Sequence, residues 1–253
     1  MHLKHLAVAA TAALLPLLVA GPAEANHSWG GYHWARTSNP FTVKLGDNVG
    51  PAWDAALSGA STDWTKSTVL DTTVVAGSTK PRTCKATSGM VQVCNASYGN
   101  TGWLGVASIS LTGGTHITQG TVKLNDTYFN TAQYNTPAWR ALVTCQEVGH
   151  TFGLDHQDEN FDNPNLGTCM DYTNDPSTNQ HPNKHDYDEL VTIYRHLDST
   201  TTVGTSTPRK HHPQVGKDEA SWGHRVKGSR ASGHAVYVRD FGAESVVTFV
   251  TWA

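Results

Sequence analysis

Gln146-Glu147-Val148-Gly149-His150-Thr151-Phe152-Gly153-Leu154-Asp155-His156 is the stretch from which the rest of the chain can be read. Thr136-Pro137 upstream supplies an N-cap and a first-turn proline, so the spacing predicts a helix running to about Thr151. On that helix Gln146 and His150 share one face, with Glu147 one turn before His150. Gly153 has the backbone freedom to end the helix and turn the chain. His156 then returns toward the face that carries His150. Three polar donors converge, with a carboxylate beside them.

Outward from this segment, Phe41 to Leu45 alternates as a strand, and Pro51 opens a helix that buries Trp53, Leu57, Ala60 and Trp64. Val69 to Ala76 reads as a strand, and Thr83 to Asn95 as a cysteine-closed loop or hairpin. Two β-like runs, 104–111 and 121–124, flank Gly113-Gly114. A further helix is expected over 184–197, with Tyr187, Leu190, Val191 and Tyr194 on one face. Residues 200–216, rich in Thr, Ser, Gly and Pro, read as a linker. Beyond them, 233–238 and 245–252 form a hairpin turning near Phe241-Gly242. The expected fold is α+β: a twisted mixed sheet with an antiparallel edge strand, three main helices and a C-terminal β-hairpin. The expected division is a main domain over 26–199, the linker over 200–216 and an extension over 217–253 that packs on the main domain, being too small to bury a core alone.

The segment 146–156 resembles the metzincin signature, H-E-x-x-H-x-x-G-x-x-H, of zinc endopeptidases. Thr168-Cys169-Met170-Asp171-Tyr172 is similar to that family's Met-turn, and Asn125-Asp126 after a strand matches the matrixin order of elements. The resemblance covers residues 40–198 by motif and element order. It implies a zincin-like fold and one catalytic zinc held by Gln146, His150 and His156, with Met170 beneath it. It further implies a zinc-bound water, Glu147 as general base and Tyr172 as oxyanion stabiliser. Protein or peptide substrates would lie as an extended strand along a sheet edge, 104–110 or 116–119.

The first motif position departs from the family, which has histidine where this chain has Gln146. An amide oxygen is a poorer zinc donor than imidazole. Three arrangements stay open: Gln146 as a true ligand; a recruited third side chain, with His116 and His185 as candidates; or a scaffold that has lost its metal and binds peptides or a surface without catalysis. Calcium is compatible with the acidic residues Asp158, Glu159, Asp162, Asp171 and Asp175, but no EF-hand pattern supports it.

Residues 1–25 read as a secretory signal peptide: Lys4, an apolar run, then Ala23-Glu24-Ala25. Export places the four cysteines in an oxidising compartment. Cys84–Cys94 brackets the 83–95 segment, and a Met-turn lying under the helix would bring Cys169 to Cys145. The 253 residues carry 18 basic and 21 acidic side chains, a net charge of −3, which excludes nucleic-acid binding driven by global positive charge. The mature chain is expected to be secreted, off the membrane and monomeric.

Overall fold

The computed structural model describes residues 26–205 and 213–253. The expected signal peptide and residues 206–212 of the expected linker lie outside the described residues. The elements run β1 (His33–Trp34), β2 (Phe41–Asn48), α1 (Asp54–Trp64), β3 (Leu70–Ala76), β4 (Met90–Ala96), β5 (Trp103–Thr112), β6 (His116–Asn125), α2 (Asp126–Phe129), α3 (Pro137–His150), α4 (Lys184–Ile193), β7 (His224–Ser229), β8 (His234–Asp240) and β9 (Glu244–Trp252).

The fold is α+β, built on one mixed sheet in the order β3-β2-β4-β6-β5-β9-β8-β7, with β1 pairing β6 off that path. The β3-to-β6 half is parallel, and β6 through β7 is antiparallel. One face packs the helices: Ala107, Ile109 and Leu111 of β5 meet Val143, Val148 and Phe152 in a core that also takes in Trp34, Trp53 and Trp64. On the other face Trp103, Val106 and Trp252 gather around Trp222. No helix among the described residues is long and apolar enough to cross a membrane.

Local chemistry explains the helix limits. Thr136 accepts from Trp139 N at 3.2 Å to cap α3, with Pro137 at its start. Asn183 and Asp186 form a capping box on α4. That helix stops at Ile193 rather than reaching 197. The Arg36 guanidinium binds the carbonyls of Tyr194 and His196, taking acceptors that another helical turn would have used.

Three expectations change in the sheet. Met90–Ala96 is no arm of a hairpin but a parallel strand between β2 and β6, with Val91, Val93 and Cys94 fully buried. The antiparallel strand β5 is not an edge, because β9 pairs with it from Trp103 to Thr112. Segment 116–119 is likewise enclosed, with β5 on one side and β1 against its start. The physical reason is that β9 is apolar on both faces: Val247 and Phe249 join the helix-side core, Val250 and Trp252 the opposite one. The C-terminal segment therefore continues the sheet instead of resting on it. It also contains a third strand, β7, whose polar run His224–Ser229 gives no apolar alternation to read.

Candidate metal centre

Helix α3 lies against the sheet with Gln146, Glu147 and His150 all buried. Gly149 permits the close packing beneath it: a Cβ there would sit 2.7 Å from Trp64 Cζ2 and 2.8 Å from Met170 Sδ. Two tryptophans pin the C-terminal half of the helix to the core, Trp64 Nε1 donating to Cys145 O and Trp34 Nε1 to the C-cap carbonyl of Thr151. Gly153 then turns the chain at φ 94°, and a Cβ there would lie 2.0 Å from the Tyr32 carbonyl oxygen. Only glycine fits, and the turn brings His156 back over His150. A disulfide joins Cys145 on α3 to Cys169 beside Met170, and a second joins Cys84 to Cys94 on β4.

His150 Nδ1 donates to the Leu154 carbonyl at 2.9 Å, so in the neutral ring Nε2 carries the lone pair. That lone pair faces His156 Nε2 at 3.2 Å. The third imidazole is His234, at the start of β8, with its ring 3.9 Å from that of His156 and 5.6 Å from that of His150. One nitrogen from each of the three lies within 4.8 Å of the others. Both ring nitrogens of His234 are buried without a hydrogen-bond partner. Burial holds all three imidazoles neutral: His150 is pushed down to about 4, and His156 and His234 well below the usual range, with the neighbouring rings adding to the shift in the latter two.

A zinc–nitrogen bond of about 2.0–2.1 Å in tetrahedral geometry separates ligand atoms by roughly 3.3 Å. The His150–His156 separation matches such an edge, and His234 presents an orphaned buried nitrogen to the same point. These residues fit a zinc-type ion.

The other expected site residues fall as follows. Gln146 is held by protein at both ends of its amide: its Nε2 donates to Cys169 O at 3.0 Å, and its Oε1 accepts from Thr251 Oγ1 at 3.0 Å. Glu147 is fully buried, with a Thr251 Oγ1 contact of 2.6 Å and its Oε2 without a partner. Burial pushes its carboxyl up to about 8. Gly105 on β5 leaves it room, because a Cβ there would lie 2.5 Å from Glu147 Oε1. Thr251 has one hydroxyl proton for two acceptors. A protonated Glu147 resolves this, donating to Thr251 while Thr251 donates to Gln146. Tyr172 packs its ring 4.5 Å from His156 and 5.5 Å from His234, and burial holds its phenol far above the usual range.

His116 and His185 are elsewhere: His116 stacks edge-on to His33, and His185 lies on His27. Several carboxylates of the acidic segment are held by protein donors, one of them from β7. Lys227 bridges Asp155 and Glu159, Asn163 donates to Asp158, and Asn179 donates to Asp171. A cavity of about 330 Å³ opens beside the centre, walled by Gln146, Tyr172, His234, Thr251, Trp139 and Arg230 among others. His234 and Thr251 were not foreseen. Each is one of several polar residues in its strand, far in sequence from the motif, and no local spacing singles it out.

No family model and no curated protein matches the chain. Among solved structures it is similar to one titled "Crystal structure of myroilysin", at 12% identity and a TM-score of 0.35, over 70% of this chain and 97% of that one.

Proposed function

We propose that the chain is a secreted metal-dependent endopeptidase whose zinc is held by His150, His156 and His234. Gln146 is then not a ligand but a strut that orients Thr251 and the Met170 turn. The observation that carries this reading is the pair of buried, unpartnered His234 nitrogens meeting two imidazoles already fixed by the α3 turn.

When bound, the zinc would supply Lewis-acid polarisation of a carbonyl and a nucleophile at neutral pH. The chain's own residues would do the rest. Glu147, titrating near neutrality, exchanges a proton with the cavity through the Thr251 hydroxyl that it touches. Tyr172, kept as a phenol by burial, is a donor toward developing negative charge on a substrate oxygen. The cavity between Trp139, Tyr172 and Arg230 takes the peptide, because the backbone edge of β5 is filled by β9.

The test measures zinc content and cleavage of quenched-fluorescence peptides by the mature chain. His234→Ala should lose one equivalent of zinc relative to wild type together with the activity, while Gln146→Ala should keep the wild-type zinc content. The opposite pattern would restore Gln146 as a ligand. The second reading, a non-catalytic peptide- or surface-binding protein on this scaffold, has one observation behind it: β9 already occupies the strand position a substrate would take beside β5. Absence of cleavage by the zinc-loaded chain would support it.

A further inference from the structure

A second imidazole cluster lies away from this centre, where β1, the start of β6 and the segment after α4 meet. His33 Nδ1 donates to the Gly31 carbonyl at 2.8 Å, so its neutral ring turns the Nε2 lone pair inward. His196 Nε2 lies 3.2 Å from His33 Nε2. Oδ1 of Asp198 sits 3.5 Å from His33 Nε2, 3.8 Å from His196 Nε2 and 3.3 Å from His116 Nε2. The donor atoms of His33, His196 and Asp198 lie within 4.8 Å of one another. The other carboxylate oxygen of Asp198 is taken by Arg36, through its guanidinium at 2.9 Å and its backbone N–H at 3.1 Å. That grip fixes the carboxylate and aims Oδ1 at the imidazoles.

We propose that His33, His196 and Asp198 form a second three-residue site for a zinc-type divalent cation, with solvent completing its coordination. The 3.2–3.8 Å separations bracket the roughly 3.3 Å ligand–ligand edge of a tetrahedral zinc. Two imidazole nitrogens and one carboxylate oxygen select a borderline ion over calcium or magnesium, which take mostly oxygen ligands. His33 is buried and held, whereas the His116 and His196 side chains are one-third and about half exposed, which gives the ion a way in.

The site would have a structural consequence. It clamps the segment around β1 to the segment that follows α4. The same N-terminal segment braces the turn that delivers His156: Trp29 N donates to Gly153 O, Asp155 N donates to His27 O, and Tyr32 O lies against Gly153. The second ion would thus hold in place the support of the first.

The experiment loads metal-free full-length mature chain with zinc sulfate, removes excess and counts bound zinc, with cobalt(II) as a spectroscopic probe. Wild type should hold two ions and His196→Ala one, the affinity of the altered site falling on the order of 100-fold or more. A chain carrying His150→Ala and His156→Ala should still bind one ion and show the visible absorption of tetrahedral cobalt. His196→Ala retaining two ions would overturn the proposal, leaving the cluster as imidazole–carboxylate hydrogen bonds only. So would a wild type whose entire metal content is lost with His150 and His156. If His196→Ala binds none while the His150/His156 variant binds one, the second site stands and the peptidase reading falls. His196→Asn, at a side chain about half exposed, repeats the count should His196→Ala fold poorly, as judged by circular dichroism.

Discussion

Glu147 shows what burial does to a single carboxyl. Its unfolded value near 4.5 rises to about 8 in the metal-free fold, so between those values the folded chain binds a proton that the unfolded chain has released. Stability from this residue is therefore full below pH 4.5 and falls as pH rises toward 8, by about 1.4 kcal/mol per unit at most. Glu147→Gln should remove that slope. Denaturant midpoints of metal-free wild type and variant should diverge increasingly from pH 5 to pH 8, with the variant the more stable, while peptide cleavage by the zinc-loaded variant disappears. Parallel midpoints would contradict the burial argument. The three imidazoles act with the opposite sign. Their folded values are depressed, so the stability they confer holds above pH 6.5 and is lost as pH falls below it. At this scale the sequence revealed Glu147, His150 and His156, because their spacing on one helix and turn is local. It concealed His234, which owes its place to strand pairing rather than to neighbours in the chain.

Among the elements, the α3 turn and its supports set the geometry. Gly153→Ala would force φ 94° on an L-residue and drive a methyl into the Tyr32 carbonyl, costing about 3 kcal/mol. Thermal denaturation should show that loss, with weakened zinc retention from the displaced His156. The Cys145–Cys169 bridge spans 24 residues and ties α3 to the Met170 turn. Replacing both cysteines by serine should cost about 3 kcal/mol, seen as a lower denaturant midpoint with a steeper denaturant slope, because the unfolded chain loses a cross-link. Helix α3 was legible through its Thr136-Pro137 start and its apolar spacing. Strand β4 was misread because a disulfide closing Cys84 on Cys94 suggests a hairpin, although continuous burial of Val91 and Val93 marks a strand inside a parallel sheet. Helix α4 ran past its true end in the sequence reading, since the Arg36 side chain that claims its trailing carbonyls is far away in the chain.

For the whole molecule, the decisive fact is that β9 is interior. The composition of 200–216 suggested a linker followed by an appendage. Pairing of β9 with β5 along its length instead makes residues 224–253 part of the sheet and of both cores. A chain ending at residue 216 should therefore not survive as an independent domain. It would expose Ala107, Ile109 and Val106 along an unpaired β5 and aggregate, as light scattering at micromolar concentration would show. A soluble, cooperatively melting product would restore the two-part reading.

The pairing of β8 with β9 has one more consequence, in time rather than in space. His234 is synthesised well after His150 and His156, and it reaches them only when β9 has found β5 and given β8 a partner. Until residues 244–252 have been made and have paired, the nascent polypeptide has no means of bringing the third imidazole of the trio to the other two. Any chemistry that needs all three stays silent until β9 has paired with β5 and β8 with β9.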